Sequence, residues 1–202
     1  MFIAKRNKGC YQIPLHLDDD NLIHNDKWVQ NIKNVEKLSV TKNDESEIPI
    51  RDSIFCIGVE KYSDPSGQCN AMAKIVHGKS MLFNDKGTRL NTFTGREAID
   101  EEGSIIKAIK MDSQAKYGLV ARGEAQVYLR LPKSDYVEWI WDHAAGSLMI
   151  QEAGGKVTDT NGNELDFSMG PKLSPKVEGI IGTNGGLFHD AILNAYHAQK
   201  NR

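Results

Sequence analysis

The chain has 202 residues, of which 40% are hydrophobic and 26% charged, and its formal net charge is −2. This composition supports a packed domain and excludes extensive disorder, and the near-neutral charge excludes nucleic-acid binding through a basic face. The first residues, MFIAKRNKGCYQIP, contain no apolar run long enough for a signal peptide, and no stretch reaches the roughly 18 apolar residues of a membrane span. Three irregularly spaced cysteines, Cys10, Cys56 and Cys69, are typical of reduced thiols, so we expect a cytoplasmic protein.

The first quarter of the chain predicts a hairpin followed by a loop region. Residues 2–14 predict two short strands joined by a turn at Gly9. Residues 17–52 are dense in Asp, Asn, Lys and Glu and predict a long polar loop region, in which Trp28–Val35 would place one helical stripe. We interpret the acidic run at residues 18–20 as a solvated loop, because a metal site needs ligands that converge.

From residue 53 onward, apolar strands alternate with helical patterns. Strands are predicted at residues 53–60, 105–111, 125–132, 156–159 and 177–184. Helices are predicted at residues 66–78, 114–122, 141–153 and 186–200. Ser66 and Ser113 are the predicted N-caps of the first two helices. The order of strands and helices predicts an α/β fold with a mixed, partly parallel sheet flanked by helices.

A candidate anion site lies at the strand-to-helix junction MDSQAKYGLVARG. A helix N-terminus at the carboxyl end of a strand offers free backbone N–H groups and a partial positive charge. Ser113 adds a hydroxyl, Lys116 an ammonium and Arg130, on the polar face of the next strand, a guanidinium; together they suit a phosphate or a phosphorylated ribose. The residues alone favour a plainer alternative, in which Ser113 only caps the helix and the two cations lie on the surface.

Asp142 has two possible roles in the segment WDHAAGSLMIQEAGG. At the start of a helix it would act as an N-cap, which is worth about 1 kcal/mol. As a hard oxygen donor it would suit Mg²⁺. The small residues 144–146 keep the helix slim and allow another element to approach, but the spacing leaves both roles open.

The same segment resembles the later signature of the inositol monophosphatase superfamily of metal-dependent phosphatases. DSQAKYGLVARGEAQVYLRLP shortly before it, GVEK at residues 58–61 and FIAKRNKGCY at the start narrow the resemblance to 3'(2'),5'-bisphosphate nucleotidases. The resemblance covers nearly all of the chain and is weakest at residues 17–52. It implies that residues 1–202 form a single C-terminal-type domain of the family's αβαβα sandwich, without the N-terminal metal-binding domain.

The resemblance implies a chemistry and assigns residues to it. The family hydrolyses adenosine 3',5'-bisphosphate, or the sulfated nucleotide PAPS, with Mg²⁺, which places it in sulfur assimilation. Carried over, Asp142 would be a metal ligand, and Ser113, Lys116 and Arg130 would bind the nucleotide. Ser63 stands where the family has a histidine, so we expect a weaker nucleotide contact there. These residues include those of the anion-site argument, which favours the functional interpretation.

Two acidic segments of the family, G-E-E and D-P-I-D-G-T, do not occur in the chain. We therefore expect an incomplete Mg²⁺ site, assign no catalytic residue and expect little or no phosphatase activity from this chain alone. The chain would be truncated, or half of an enzyme whose other half is supplied in trans. Two alternatives remain: a non-catalytic nucleotide-binding module, and an inositol phosphate phosphatase, against which the DSQAKY and YLRLP segments speak.

Overall fold

The computed structural model describes residues 1–14, 34–41, 50–77, 93–94, 97–99 and 105–198. The helices are α1 (Pro65–His77), α2 (Ala115–Ala121), α3 (Ala144–Glu152) and α4 (Gly186–His197). The strands are β1 (Phe2–Lys5), β2 (Gly9–Gln12), β3 (Glu36–Lys37), β4 (Phe55–Gly58), β5 (Phe93–Thr94), β6 (Glu97–Ile99), β7 (Ile105–Met111), β8 (Val127–Arg130), β9 (Lys156–Asp159) and β10 (Ile180–Thr183). Two short 3-10 turns cover Ile50–Asp52 and Ile140–Asp142.

The main sheet is mixed, as the sequence predicts. Seven strands lie in the order β5-β6-β7-β4-β8-β10-β9. Strand β4 is parallel to both of its neighbours, β7 and β8, whereas the outer pairings are antiparallel. The carboxyl ends of β4, β7 and β8 therefore lie together at one edge of the sheet, which is where open α/β sheets bind ligands.

Helices cover both faces of this sheet. On one face α1 and α4 pack through Met72 and Ile192 against Phe55 and Leu129. On the other face α2 and α3 pack through residues such as Tyr117 against Tyr128, the strand residue that points the opposite way from Leu129. Burying each large apolar side chain contributes about 1.5–3 kcal/mol, so both faces stabilise the sheet.

The β1–β2–β3 sheet forms a further layer beyond α3. The predicted hairpin is confirmed, with its turn at Gly9, where φ is +94°. The prediction of one long polar loop is wrong for Glu36–Lys37, which pair with β2 as β3, because the apolar Leu38 and Val40 just after them are buried. The acidic run and most of the Trp28–Val35 stripe lie outside the described residues.

Three helix starts differ from the sequence prediction. Asp64 caps α1 rather than Ser66, because Gly67 N donates to Asp64 Oδ1 at 3.0 Å and Pro65 occupies the first turn, where a missing N–H is tolerated. Helix α2 starts at Ala115, two residues after Ser113. Helix α3 starts at Ala144, after the 3-10 turn that contains Asp142, so Asp142 is not its N-cap.

Glu152, at the end of α3, holds the β1–β2 turn. Its carboxylate accepts hydrogen bonds from the backbone N–H groups of Asn7 (2.6 Å), Lys8 (3.1 Å) and Gly9 (2.8 Å). Although desolvation alone would raise the pKa of Glu152, these three hydrogen bonds lower it. The hairpin is thereby fastened to the helix layer. No helix of the described part of the chain is long and apolar enough to cross a membrane.

Candidate functional site

A cleft of about 160 Å³ opens at the carboxyl edge of the three parallel strands. It brings together the four residues that the sequence predicts for phosphate and metal, namely Ser113, Lys116, Arg130 and Asp142. The topology explains the position of each residue. Ser113 comes just after β7 and Arg130 ends β8, while Lys116 lies on α2 and Asp142 on the 3-10 turn before α3.

Lys116 is a buried cation rather than a surface charge. Its side chain is carried by α2 and its residue is 1% exposed. The ammonium is paired with Glu60 Oε1 and donates to the carbonyl oxygen of Met111 at 3.0 Å. The alternative interpretation of Lys116 as a solvated charge is therefore wrong, because a buried ammonium requires partners of this kind.

Arg130 is buried in the same way, with 6% of its surface exposed. Its Nε donates to Glu138 Oε1 at 2.6 Å, and its Nη1 donates to Glu60 Oε2 at 3.0 Å and to Ser63 Oγ. Burial would lower the pKa of the guanidinium, but the hydrogen bond to Glu138 raises it. Within the described residues Nη2 has no protein partner, so its N–H groups can serve a ligand.

Glu60 is the hub between the two cations. Lys116 binds one of its carboxylate oxygens, and Arg130 and Ser63 bind the other, with Ser63 Oγ at 2.7 Å. Partial burial would raise the pKa of Glu60, but the hydrogen bonds from Lys116 and Ser63 lower it to about 2. Gly58 leaves room for this arrangement, because a Cβ there would overlap Glu60 and Ser63.

Glu138 joins Arg130 to a second buried chain of hydrogen bonds. His143 Nε2 lies 3.1 Å from Glu138 Oε2, and His143 Nδ1 lies 2.7 Å from the hydroxyl of Tyr117. A carboxylate only accepts, so His143 donates through Nε2 and, in its neutral form, accepts from Tyr117 through Nδ1. Desolvation would raise the pKa of Glu138, whereas the hydrogen bonds from His143 and Arg130 lower it.

Ser113 and Asp142 form the exposed part of the cleft. Ser113 has a positive φ of 66°, and its Oγ accepts from Ala115 N at 3.3 Å while its N–H donates to Asp112 at 2.6 Å. The carboxylate of Asp142 has no partner among the residues that the structure describes. Its loop is fixed by Gln114, whose side chain donates to Trp141 O at 2.7 Å and accepts from Gly146 N at 3.0 Å.

Ser63 lies under the cleft rather than in its wall. The residue is 1% exposed, and its hydroxyl is engaged by Glu60 and Arg130. Its role as a nucleotide contact stays a prediction, and the geometry gives it a place behind Arg130. Its neighbour Tyr62 lines the cleft instead.

The charge of the cleft is unfavourable for an anion on its own. Six charged side chains of the described residues line it: the carboxylates of Glu60, Asp112, Glu138 and Asp142, and the cations of Lys116 and Arg130. Four negative and two positive charges leave a formal excess of two negative charges with His143 neutral. A phosphate would therefore bind here more favourably together with an added cation.

The cleft fits one magnesium ligand but not a full set. Asp142 offers a hard, unpartnered oxygen donor, which suits Mg²⁺. Within the described ranges, however, no group of three or more His, Cys, Asp or Glu side chains converges as a metal site. The other oxygen ligands that octahedral Mg²⁺ needs are not provided by this part of the chain.

Sequence reasoning missed the two carboxylates that hold the cations. Glu60 belongs to the GVEK segment and directly follows a buried strand. Two cations are predicted at the same sheet edge, so the sequence indicates that an acidic residue there would pair with them. Glu138 stands alone among apolar residues in YVEWIW, a pattern that indicates a buried carboxylate with a partner. The aromatic residues Tyr62 and Tyr136 carry no such signal in the sequence.

Comparisons with known proteins agree with this architecture. The model of the inositol monophosphatase family matches residues 14–201. The extragenic suppressor protein suhB from Bartonella henselae aligns with a TM-score of 0.53 at 16% identity, over 98% of this chain and 52% of that chain. An inositol monophosphatase from Zymomonas mobilis aligns with a TM-score of 0.50 at 13% identity, over 81% of this chain and 48% of its own. At these identities the likeness shows the fold alone.

Curated relatives by sequence carry a more specific name. A 3'(2'),5'-bisphosphate nucleotidase of Schizosaccharomyces pombe is 35% identical over 190 residues, which is 94% of this chain and 41% of the relative. One from Oryza sativa is 58% identical over 99 residues, or 49% of this chain and 27% of the relative. One from Dictyostelium discoideum is 39% identical over 139 residues, which is 69% of this chain and 38% of the relative. The chain thus matches less than half the length of these relatives.

Proposed function

This chain belongs to the inositol monophosphatase family, and from that premise we propose that it is the nucleotide-binding part of a magnesium-dependent 3'(2'),5'-bisphosphate nucleotidase. The proposed substrates are adenosine 3',5'-bisphosphate, hydrolysed to AMP and phosphate, and PAPS, hydrolysed to APS. The observation that carries the proposal is the convergence of Ser113, Lys116, Arg130 and Asp142 in one cleft. The names of the curated relatives support the choice of substrate.

The proposed phosphate contacts are the donors that the protein does not already use. Lys116 donates two hydrogen bonds internally, to Glu60 and Met111, which leaves the third N–H of its ammonium. Arg130 offers the N–H groups of Nη2, and Ser113 offers its exposed hydroxyl. Each hydrogen bond to a charged group contributes about 1.5–3 kcal/mol, so these three donors would support binding of a phosphorylated ribose.

Magnesium enters the proposal through the charge balance. The cleft already carries a formal excess of two negative charges, so a doubly charged phosphate needs a cation beside it. Asp142 would supply one ligand, and further carboxylates would have to come from outside the described residues. We therefore propose that this chain alone binds the nucleotide with little or no turnover.

Titration calorimetry with adenosine 3',5'-bisphosphate, with and without Mg²⁺, tests the proposal. We expect Mg²⁺ to tighten binding at least about tenfold, which corresponds to about 1.4 kcal/mol. Asp142→Asn should abolish that gain, because the unpartnered carboxylate is lost. The matched control is Asp190→Asn, which removes an exposed carboxylate paired with Lys156, far along the chain on α4. Absence of nucleotide binding under both conditions would refute the proposal.

Two alternatives are separated by the same samples. Nucleotide binding without phosphate release would support a non-catalytic binding module or a half-enzyme. Adding a polypeptide with the family's acidic segments should restore phosphate release only for the half-enzyme. Preference for inositol 1-phosphate over the nucleotide would instead indicate an inositol phosphate phosphatase.

We also propose a cytoplasmic location. The support is the state of the cysteines, since Cys10, Cys56 and Cys69 are free thiols. Burial raises the pKa of Cys10 to about 11 and that of Cys56 to about 12, so both stay protonated and unreactive. Fractionation of cells that express the tagged chain checks this proposal.

A further inference from the structure

A stacked pair of tyrosine rings forms part of the cleft wall. The ring centroids of Tyr62 and Tyr136 are 4.5 Å apart, and the rings are within 10° of parallel. Both side chains line the cleft that contains the cations, and Tyr62 is 45% exposed. An exposed aromatic surface beside a charged cleft is suited to a ligand that is charged at one end and planar at the other.

The backbone that directly follows Tyr62 is fixed. Lys133 N donates to Tyr62 O at 3.0 Å, and Asp64 N donates to Leu131 O at 2.9 Å. Between these bonds, Ser63 forms an isolated antiparallel bridge with Pro132. The backbone is thus ordered and the Tyr62 ring is stacked on Tyr136 before any ligand arrives, which reduces the entropy lost on binding.

The cleft is too small to hold a whole nucleotide. Its volume is about 160 Å³, whereas pockets that enclose small organic ligands measure about 300–1,000 Å³. A phosphorylated ribose that reached Lys116 and Arg130 would fill it. The base would then extend past the rim, where the Tyr62–Tyr136 pair stands.

A second, larger groove lies on the other side of Tyr136. It measures about 710 Å³ and shares Tyr136 with the cleft. Apolar side chains such as Leu131, Val137 and Val177 line it. Its charged residues nearly cancel, with the carboxylates of Asp64, Asp135 and Glu178 against the cations of Lys74 and Lys133. A nearly neutral, partly apolar groove suits an uncharged base rather than another phosphate.

We propose that the Tyr62–Tyr136 pair is the platform on which the nucleobase of the ligand stacks, with the adjoining groove receiving the outer edge of the base. This inference rests on the proposed nucleotide-binding function and names its base-recognition element. Tyr62 is the specificity-determining residue, because it is the more accessible ring and its loop is pinned. Stacking of one base on an aromatic side chain corresponds to about tenfold or more in affinity.

The test compares two ligands that differ by the base. Dissociation constants for adenosine 3',5'-bisphosphate and for ribose 3,5-bisphosphate are measured with Mg²⁺ on the wild-type chain, Tyr62→Ala, Tyr62→Phe and Tyr62→Leu. We expect Tyr62→Ala and Tyr62→Leu to weaken nucleotide binding about tenfold and leave ribose 3,5-bisphosphate binding unchanged. Tyr62→Phe keeps the ring and should behave as wild type. Tyr11→Ala, on the β1–β2 hairpin, is the control for loss of a distant tyrosine.

The outcomes separate this inference from the function on which it rests. Tyr62→Leu keeps apolar bulk, so a folded variant is available if Tyr62→Ala unfolds. Equal nucleotide affinity in wild type and Tyr62→Leu would overturn the base platform and leave the proposed nucleotide function standing. An equal loss for both ligands would also overturn it, because the residue would then only support the fold. A wild-type chain that binds neither ligand would overturn both.

Discussion

Replacing Glu138 with glutamine tests the physical basis of the cleft. The substitution keeps the size of a side chain that is 3% exposed but removes its charge. The carboxylate accepts from Arg130 Nε at 2.6 Å and contacts His143 Nε2 at 3.1 Å. We expect Glu138→Gln to destabilise the fold, because it leaves a buried guanidinium with one charged partner instead of two.

The size of the loss in the free energy of unfolding depends on the hydrogen bonds that remain to Arg130 and His143 in Glu138→Gln. A hydrogen bond between charged groups contributes about 1.5–3 kcal/mol and a neutral one about half of that. In addition, a glutamine amide can satisfy only one of the two donors through its single oxygen. Arg130 keeps Glu60 at 3.0 Å, so the full cost of an unpaired buried charge does not apply. We expect a loss of about 2–4 kcal/mol in the free energy of unfolding.

Urea unfolding at neutral pH measures this loss as a shift in midpoint at unchanged slope. The matched control is Glu124→Gln, which breaks an ion pair with Arg122 whose side chains are 44% and 35% exposed. Such a surface pair contributes at most about 1 kcal/mol. If the two variants unfold at the same urea concentration, the buried network does not stabilise the fold and the reasoning is wrong.

Three further predictions concern the scaffold. Glu152→Ala should increase hydrogen exchange of the backbone amides in the β1–β2 turn and lower the free energy of unfolding by about 1 kcal/mol. In the wild type, the protection of these amides should fall as the pH drops below 4.5, because folding lowers the pKa of Glu152 and protonation removes its stabilisation. Gly146→Ala should lower the midpoint of thermal unfolding by more than Ala145→Gly on the same helix, because a Cβ at 146 would overlap the ring of Tyr117; equal shifts would contradict this. Burial lowers the pKa of His189 from 6.5 to about 4. Between these pH values the unfolded chain binds more protons than the folded chain, so the free energy of unfolding should fall as the pH falls, by up to about 1.4 kcal/mol per pH unit. His189→Gln should flatten the slope of the unfolding free energy against pH in this range.

The sequence was informative where a segment's own pattern determines its structure. The buried strand that becomes β4 and the helix that becomes α4 were predicted within a few residues, because each has a clear apolar period. The residues predicted to bind phosphate lie at one sheet edge, as their positions in the sequence indicate, since Ser113 follows β7 and Arg130 ends β8; their role in binding stays a prediction. The arrangement around them rests on tertiary contacts that no local pattern encodes.

Arg130 illustrates the limit of pattern reasoning. Alternation along its strand predicts that Tyr128 and Arg130 face a polar side, yet all four residues of β8 are buried. The reason is that the second face of the sheet is covered by α2 and α3, and the arginine is neutralised by Glu138 on the loop after β8 and by Glu60, which is 70 residues earlier in the chain. Helix starts failed for a similar reason, because Pro65 and a 3-10 turn override the nearest serine or aspartate.

The position of β4 in the sheet has a consequence for how the chain is made. Strand β4 leaves the ribosome before both of its partners, since it pairs with β7 and β8, which end at Met111 and Arg130. Until synthesis has passed those residues, an apolar strand exposes two unpaired edges, the condition under which nascent chains aggregate or engage chaperones. The connectivity of the sheet therefore makes the pairing of β4 with β7 and β8 a slow and late step of folding.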